Sequence, residues 1–195
     1  MIIGITGLGG SGKSNASNYI LNKFDNSKVI HVDKLHVQVL TENPRIPIDI
    51  YGNEIFKDGK WNSDLFIEHP KKLAKTFEKS YELLVRKIND MLGELDTYQN
   101  VIIDFFALPK IKEIWNLCDI KILVKSSCEQ KRVANILRRR VSEGKSPKVN
   151  MKKRDAFAPD YNLYKYNYII DNNYDENYYH DLDVIINRIK EERKI

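Results

Sequence analysis

Five short apolar runs alternate with stretches of helical spacing along the chain. Ile2 to Thr6 is the first, and its continuous apolar character before a glycine predicts a strand buried on both faces. From Lys13 to about Phe24, Ala16, Tyr19, Ile20 and Phe24 recur at helical spacing. SKVIHVD (27–33) predicts a second strand, followed by a helix from Lys34 to about Leu40. Thr41 to Ser63 contains Pro44, Pro47 and two glycines and reads as irregular loop. Ser63 reads as a helix cap, and Pro70 divides the helical stretch beyond it. Leu73, Phe77, Leu84, Ile88 and Met91 predict an amphipathic helix over 71–92. NVIIDFF (100–106), DIKILV (119–124) and YNYIID (166–171) predict three more strands. Helices are expected around 110–117, over 127–143, around 150–157, and at the end, where Leu182, Ile185, Ile186 and Ile189 repeat. Strand and helix in alternation imply one α/β domain over 1–195, a parallel sheet with helices on both faces.

Composition narrows the class. At 195 residues, 42% hydrophobic and 30% charged, the chain suits one globular domain. Its net charge of +5 is compatible with an anionic ligand, yet too dilute to imply nucleic acid. No apolar run is long enough for a bilayer, and no charged region or cleavage site surrounds the opening strand. Cys118 and Cys128 form no CxxC pair and read as reduced thiols of a cytoplasmic protein.

The candidate chemistry begins at Gly7-Leu8-Gly9-Gly10-Ser11-Gly12-Lys13-Ser14, which fits G-x-x-x-x-G-K-[ST] at every fixed position. Gly7 and Gly12 let the backbone turn with positive φ, so that successive N–H groups face one concavity at a helix N-terminus. Gly9, Gly10, Ser11, Gly12, Lys13, Ser14 and Asn15 are the expected contacts for ATP. Lys13 would reach the β- and γ-phosphates, and the Ser14 hydroxyl would ligate Mg²⁺. The bland alternative, a glycine-rich turn, does not require both flanking elements to be correct, and here they are. The chain carries no NKxD-type guanine reader and is short for a motor ATPase, which leaves a small-molecule kinase as the economical reading.

In a doubly wound sheet, chemistry gathers at the carboxyl ends of strands. Asp33 is expected to close the second strand and orient or deprotonate the acceptor hydroxyl; Asp104 is expected to close the third and serve the metal. Helix capping is the ordinary alternative for both. His31 and His36 flank Asp33 and read as packing residues. EQKRVANILRRRVSEGKS places Arg132, Arg138, Arg139 and Arg140 on one helix entering a lid over 138–155. Arg132 and Arg139 lie seven apart on a shared face and are the candidates for stabilising the transferring phosphoryl group. A solvated basic face is the alternative. An RNA patch would need interleaved aromatics, which are missing.

These residues resemble dephospho-CoA kinases, within the nucleoside and nucleotide kinase group of P-loop proteins. MIIGITGLGGSGKS is similar to that family's opening and VIHVDKLHVQVL to its second-strand segment. YGNEIFKDGKWN resembles its FG…DG loop, and His69-Pro70 its HP motif on the acceptor side. IIDFFAL, LCDIKILV, EQKRVANILRRR and NYIIDNN resemble its later strands and lid entrance. The pattern departs at His31, where the family has Asp, and at Phe105, where it has proline. The resemblance implies a three-layer P-loop fold with strand order 2-3-1-4-5 and an acceptor-side helical region over 41–92. It also implies transfer of phosphate from ATP to the ribose 3′-hydroxyl of dephospho-CoA. The protein would be a monomer or small homo-oligomer, with no nucleic-acid or membrane partner. RRRVSEGKS also resembles the lid of uridine kinases, whose acceptor is a nucleoside. A nucleotide-binding protein without turnover is the reading outside the enzymes.

Overall fold

The computed structural model describes residues 1–57, 59–95 and 100–194. Strand β1 (Ile2–Thr6) leads through the glycine loop into α1 (Lys13–Leu21), and β2 (Ser27–His31) runs directly into α2 (Val32–Glu42). Then come α3 (Arg45–Tyr51), a ribbon of β3 (Phe56–Lys57) and β4 (Lys60–Trp61), α4 (Ser63–Glu68) and the long α5 (Pro70–Gly93). β5 (Asn100–Asp104), α6 (Lys112–Leu117), β6 (Ile120–Ser126), α7 (Glu129–Ser142), α8 (Met151–Asp155), β7 (Tyr168–Asn172) and α9 (Asn177–Arg193) complete the succession.

The sheet order is β2-β5-β1-β6-β7, with every pairing parallel. The ribbon shifts the strand numbers, but the spatial succession of the five long strands is the expected 2-3-1-4-5. Register places both Ile5 and His31 opposite Asp104, so the carboxyl ends of β1, β2 and β5 form one edge. Side chains alternate across the sheet with period two. Ile3, Ile5, Ile102, Ile122 and Val124 face α1 and α9, whereas Val101, Ile103 and Phe105 face α2, α5 and α6. Among the described residues no helix is long and apolar enough to cross a membrane.

Helix α5 shows why the spacing predicted it. Leu73, Thr76, Phe77, Ser80, Leu84 and Ile88 are its buried residues, a stripe of one i, i+3, i+4 face. Thr76 and Ser80 enter that stripe without unpaired hydroxyls, because each bonds a carbonyl one turn back, on Lys72 and Thr76.

The region 41–63 differs from the loop its prolines suggest. Pro44 precedes α3 and Pro47 sits in its first turn, where backbone N–H groups have no partner within the helix to lose. Asn62, not Ser63, caps α4, its side chain accepting from the Leu65 N–H at 3.1 Å. β2 also ends two residues early, so Asp33 stands in the first turn of α2 and does not close the strand. Asp58 of the DG pair falls outside the described residues, while Gly59 makes the ribbon's turn at φ +71°.

Leu84 is fully buried between α5 and the sheet. Leu84→Ala should lower unfolding free energy by about 2–5 kcal/mol in chemical denaturation.

Candidate active site

The loop between β1 and α1 has the backbone that its glycines predict. Gly7 adopts φ +145°, and a Cβ there would meet the Val124 carbonyl oxygen at 2.1 Å. Gly12 adopts φ +100°, and a Cβ there would meet the Asn172 amide nitrogen at 2.3 Å. Glycine is required at both positions on conformation and on space.

What holds the loop comes from elsewhere in the chain. Arg132 Nη1 donates to the Gly9 carbonyl at 2.9 Å, Tyr174 O–H to that of Gly10 at 2.9 Å, Asn172 Nδ2 to that of Ser11 at 2.8 Å, and Tyr178 O–H to that of Gly12 at 2.9 Å. Four successive carbonyls are thus drawn toward side chains of β7, α7, α9 and the β7–α9 turn. Because N–H and C=O of a peptide point opposite ways, anchoring the carbonyls on one side leaves N–H groups for the other, as an anion nest requires, save that of Ser11, which donates to the Leu8 carbonyl at 3.1 Å. Asn172, Tyr174 and Tyr178 were not legible as site residues; polar and aromatic residues following the last strand are their only sequence signal.

Lys13 and Ser14 open α1 beneath this loop. Ser14 Oγ donates to Asp104 Oδ2 at 2.9 Å, and Lys13 Nζ lies 4.0 Å from Asp104 Oδ1. His31 Nδ1 stands 3.4 Å from Asp104 Oδ2. Burial by itself would raise the Asp104 pKa, but the His31 contact, the Lys13 charge and the Ser14 hydrogen bond outweigh it and hold the carboxyl below its ordinary range. Asp104 Oδ1 is buried with no hydrogen-bond partner, a lone-pair donor beside the Ser14 hydroxyl. One carboxylate and one hydroxyl suit Mg²⁺, which takes few protein ligands alongside water and phosphate oxygens. No group of three or more His, Cys, Asp or Glu that could hold a metal occurs among the described residues.

Asp33 shares a cavity of about 300 Å³ with Gly9, Lys13, Ser14, Arg139 and Arg154. It is open to water within the cleft yet hemmed in by protein, and that crowding raises its pKa from the ordinary value. Lys13 opposes the shift, Asp104 adds to it, and Arg154 and Arg139 oppose it again. Trp61, Phe66, Phe77, Phe105, Phe106, Phe157 and His36 form the far walls. A second cavity of about 420 Å³ lies against Gly10, Gly12, Lys13, Ser14, Asn15, Arg138, Arg139 and Tyr174. Lys13, Ser14 and Arg139 line both.

The arginines of α7 have separate fates although the spacing grouped two of them. Arg132 is 2% exposed and lines neither cavity. Besides the Gly9 carbonyl, it holds both carboxylate oxygens of Glu129 (2.7 and 2.6 Å) and of Asp155 (3.3 and 2.6 Å). Burial works against its charge, but the two carboxylates outweigh burial and raise its pKa. Arg140 is buried against Asp64 of α4 and the Ser146 carbonyl. Arg139, two turns beyond Arg132, is exposed at the cleft. Arg154 of α8 joins it there, with Nε buried and unpartnered; it falls within the expected lid but had no spacing signal of its own. His69 stands exposed at the start of α5, edge-on to Tyr51, and does not line the cavity; His36 does.

No protein-family model matches the chain. A curated relative, the dephospho-CoA kinase of Borrelia garinii subsp. bavariensis, is 34% identical over 131 residues. The match takes in 65% of this chain and 62% of the relative, so the chain spans less than two thirds of that protein's length. Among solved structures, TT1252 from Thermus thermophilus is similar at TM-score 0.70 and 19% identity, covering 98% of this chain and 97% of that one. Deoxyadenosine kinase from M. mycoides is similar at TM-score 0.54 and 18% identity, covering 98% and 99%.

Removing the Arg132 clamp tests the loop's dependence on it. Arg132→Met should lower unfolding free energy by about 2 kcal/mol in chemical denaturation, the scale of a lost charged hydrogen bond. In sequence the chain is similar to a dephospho-CoA kinase, and its fold is that of the P-loop kinases.

Proposed function

We propose that the chain transfers the γ-phosphoryl group of ATP to a ribose hydroxyl, the 3′-hydroxyl of dephospho-CoA. One observation carries this reading: a single glycine loop separates two cavities, and the one holding Asp33 joins an aromatic chamber to a basic mouth. That mouth, about 440 Å³, is lined by Lys34, Arg139, Arg140, Lys145 and Arg154 with Glu143, and it shares Asp33, Val37, Arg139 and Arg154 with the chamber. A nucleoside acceptor would need the chamber alone. An acceptor with a base, a ribose and a pyrophosphate uses both, the anion meeting the cations of the mouth.

In this reading ATP lies in the second cavity with its phosphates on the glycine loop from Gly9 to Ser14. Asp33 orients the acceptor hydroxyl toward the γ-phosphorus and takes its proton as the new P–O bond forms. The bond to the β–γ bridging oxygen breaks, and ADP leaves. Lys13, Arg139 and Arg154 face the oxygens on which charge accumulates. Arg132 acts through the loop it holds. Ser14 and Asp104 would hold Mg²⁺, which supplies charge neutralisation on the β- and γ-oxygens. The similarity to a dephospho-CoA kinase supports the choice of acceptor.

ADP release from ATP·Mg²⁺, measured with dephospho-CoA beside uridine, cytidine and nucleoside monophosphates, tests it. Turnover with dephospho-CoA is the expected result; turnover with a nucleoside alone would replace the acceptor, and ATP binding without any turnover would remove the enzyme reading. Asp33→Asn should cut kcat by about 10²–10⁴-fold with ATP affinity kept, the usual worth of a general base. Lys13→Ala should cost about 3–4 kcal/mol of transition-state stabilisation, as other lost electrostatic contacts do. Since Asp33 works deprotonated and its pKa is raised, the acid limb of kcat/KM should lie above the ordinary aspartate value of 3.8 and vanish in Asp33→Asn.

A further inference from the structure

His36 sits in the wall of the acceptor chamber, on the turn of α2 following Asp33, and is 5% exposed. Its ring meets Phe77 edge-on at 5.5 Å and Phe66 at 6.1 Å. Nε2 lies 2.8 Å from Ser80 Oγ, and that oxygen lies 2.9 Å from the Thr76 carbonyl. A hydroxyl has one proton. If Ser80 gave it to His36, the Thr76 carbonyl and Ser80 oxygen would face each other as two acceptors. Both contacts are satisfied in one arrangement only: Nε2–H donates to Ser80, and Ser80 donates to Thr76. The ring is neutral at physiological pH, because burial lowers its pKa to about 4.

That tautomer leaves Nδ1 as an acceptor, and among the described residues the hydrogen bond made by the ring is the one from Nε2 to Ser80. We propose that His36 Nδ1 reads an exocyclic amino group on the base of the acceptor, selecting adenine over hypoxanthine. This rests on the dephospho-CoA reading for the acceptor but names a residue and an atom for base choice. Aromatic walls accept any flat base; they do not tell adenine from hypoxanthine. An acceptor nitrogen does, since the adenine N6 amino group donates to it whereas the hypoxanthine O6 meets it lone pair to lone pair. Hypoxanthine could be accommodated by moving the ring proton to Nδ1, but Ser80 would then have to turn from Thr76 to Nε2. Ser80 therefore acts as a positioning residue that holds the tautomer.

The test compares adenosine with inosine in calorimetric binding, and dephospho-CoA with its hypoxanthine counterpart in phosphoryl transfer. Wild type should favour the adenine member about 10- to 100-fold, the span of one unsatisfied polar group. His36→Phe keeps the aromatic wall and should bring that ratio close to one while leaving the hypoxanthine member within a few-fold. Ser80→Ala frees the tautomer and should recover the hypoxanthine member with adenine retained, which general loosening of α5 would not do. Equal binding of both members by wild type overturns the inference even where dephospho-CoA is phosphorylated. So do failure of both to bind, and a ratio that survives both variants. A preference for adenosine that His36→Phe removes, with no transfer to dephospho-CoA, upholds the reader and overturns the proposed acceptor instead.

Discussion

The site depends on the anchoring of four consecutive carbonyls in one loop. A chain of glycines can adopt many conformations, and its freedom is costly to remove. Here the removal is distributed: Arg132, Tyr174, Asn172 and Tyr178 each hold one carbonyl, from positions 123 to 166 residues away along the chain. The loop's carbonyls are fixed by that restraint, not by glycine alone. Arg132 ties the same loop to Asp155 of α8, so the loop and α8 share one cation.

Helix α7 is held on its other side as well. Arg140 reaches back to Asp64 on α4. Two buried arginines therefore brace α7, one against the glycine loop and one against α4. Arg139 between them projects into the shared cleft. The division follows from helix geometry and from the available carboxylates: Arg132 and Arg140, each held by close hydrogen bonds to carboxylates, are structural, whereas Arg139, which meets Glu143 only at 3.9 Å, stays available for a ligand's charge.

Much of the frame was readable from residue order. Alternating apolar runs and helical stripes placed each of the five long strands and the long helix α5, and the glycine signature located the loop with its Lys13 and Ser14. Boundaries were less secure. Asp33 lies in α2 because β2 stops at His31, and α3 forms through two prolines because both fall where a helix start tolerates them. Arg132 and Arg139 look equivalent at a spacing of seven, yet Arg132 hydrogen-bonds two carboxylates and a carbonyl, whereas Arg139 meets Glu143 only at 3.9 Å. His69 carried a motif and stays outside the chamber, whereas His36 carried none and lines it.

Residue order settles what is local: the period of each element, the φ freedom at Gly7 and Gly12, and the acids expected near the sheet's carboxyl edge. Those follow from sterics and burial acting over a few residues. Partnership belongs to the folded chain. Which residue anchors each loop carbonyl, which arginine remains at the cleft and which nitrogen of His36 carries the proton depend on groups far apart in the chain. Hydrogen bonds and ion pairs act over a few ångströms, so only the tertiary structure brings such partners within range.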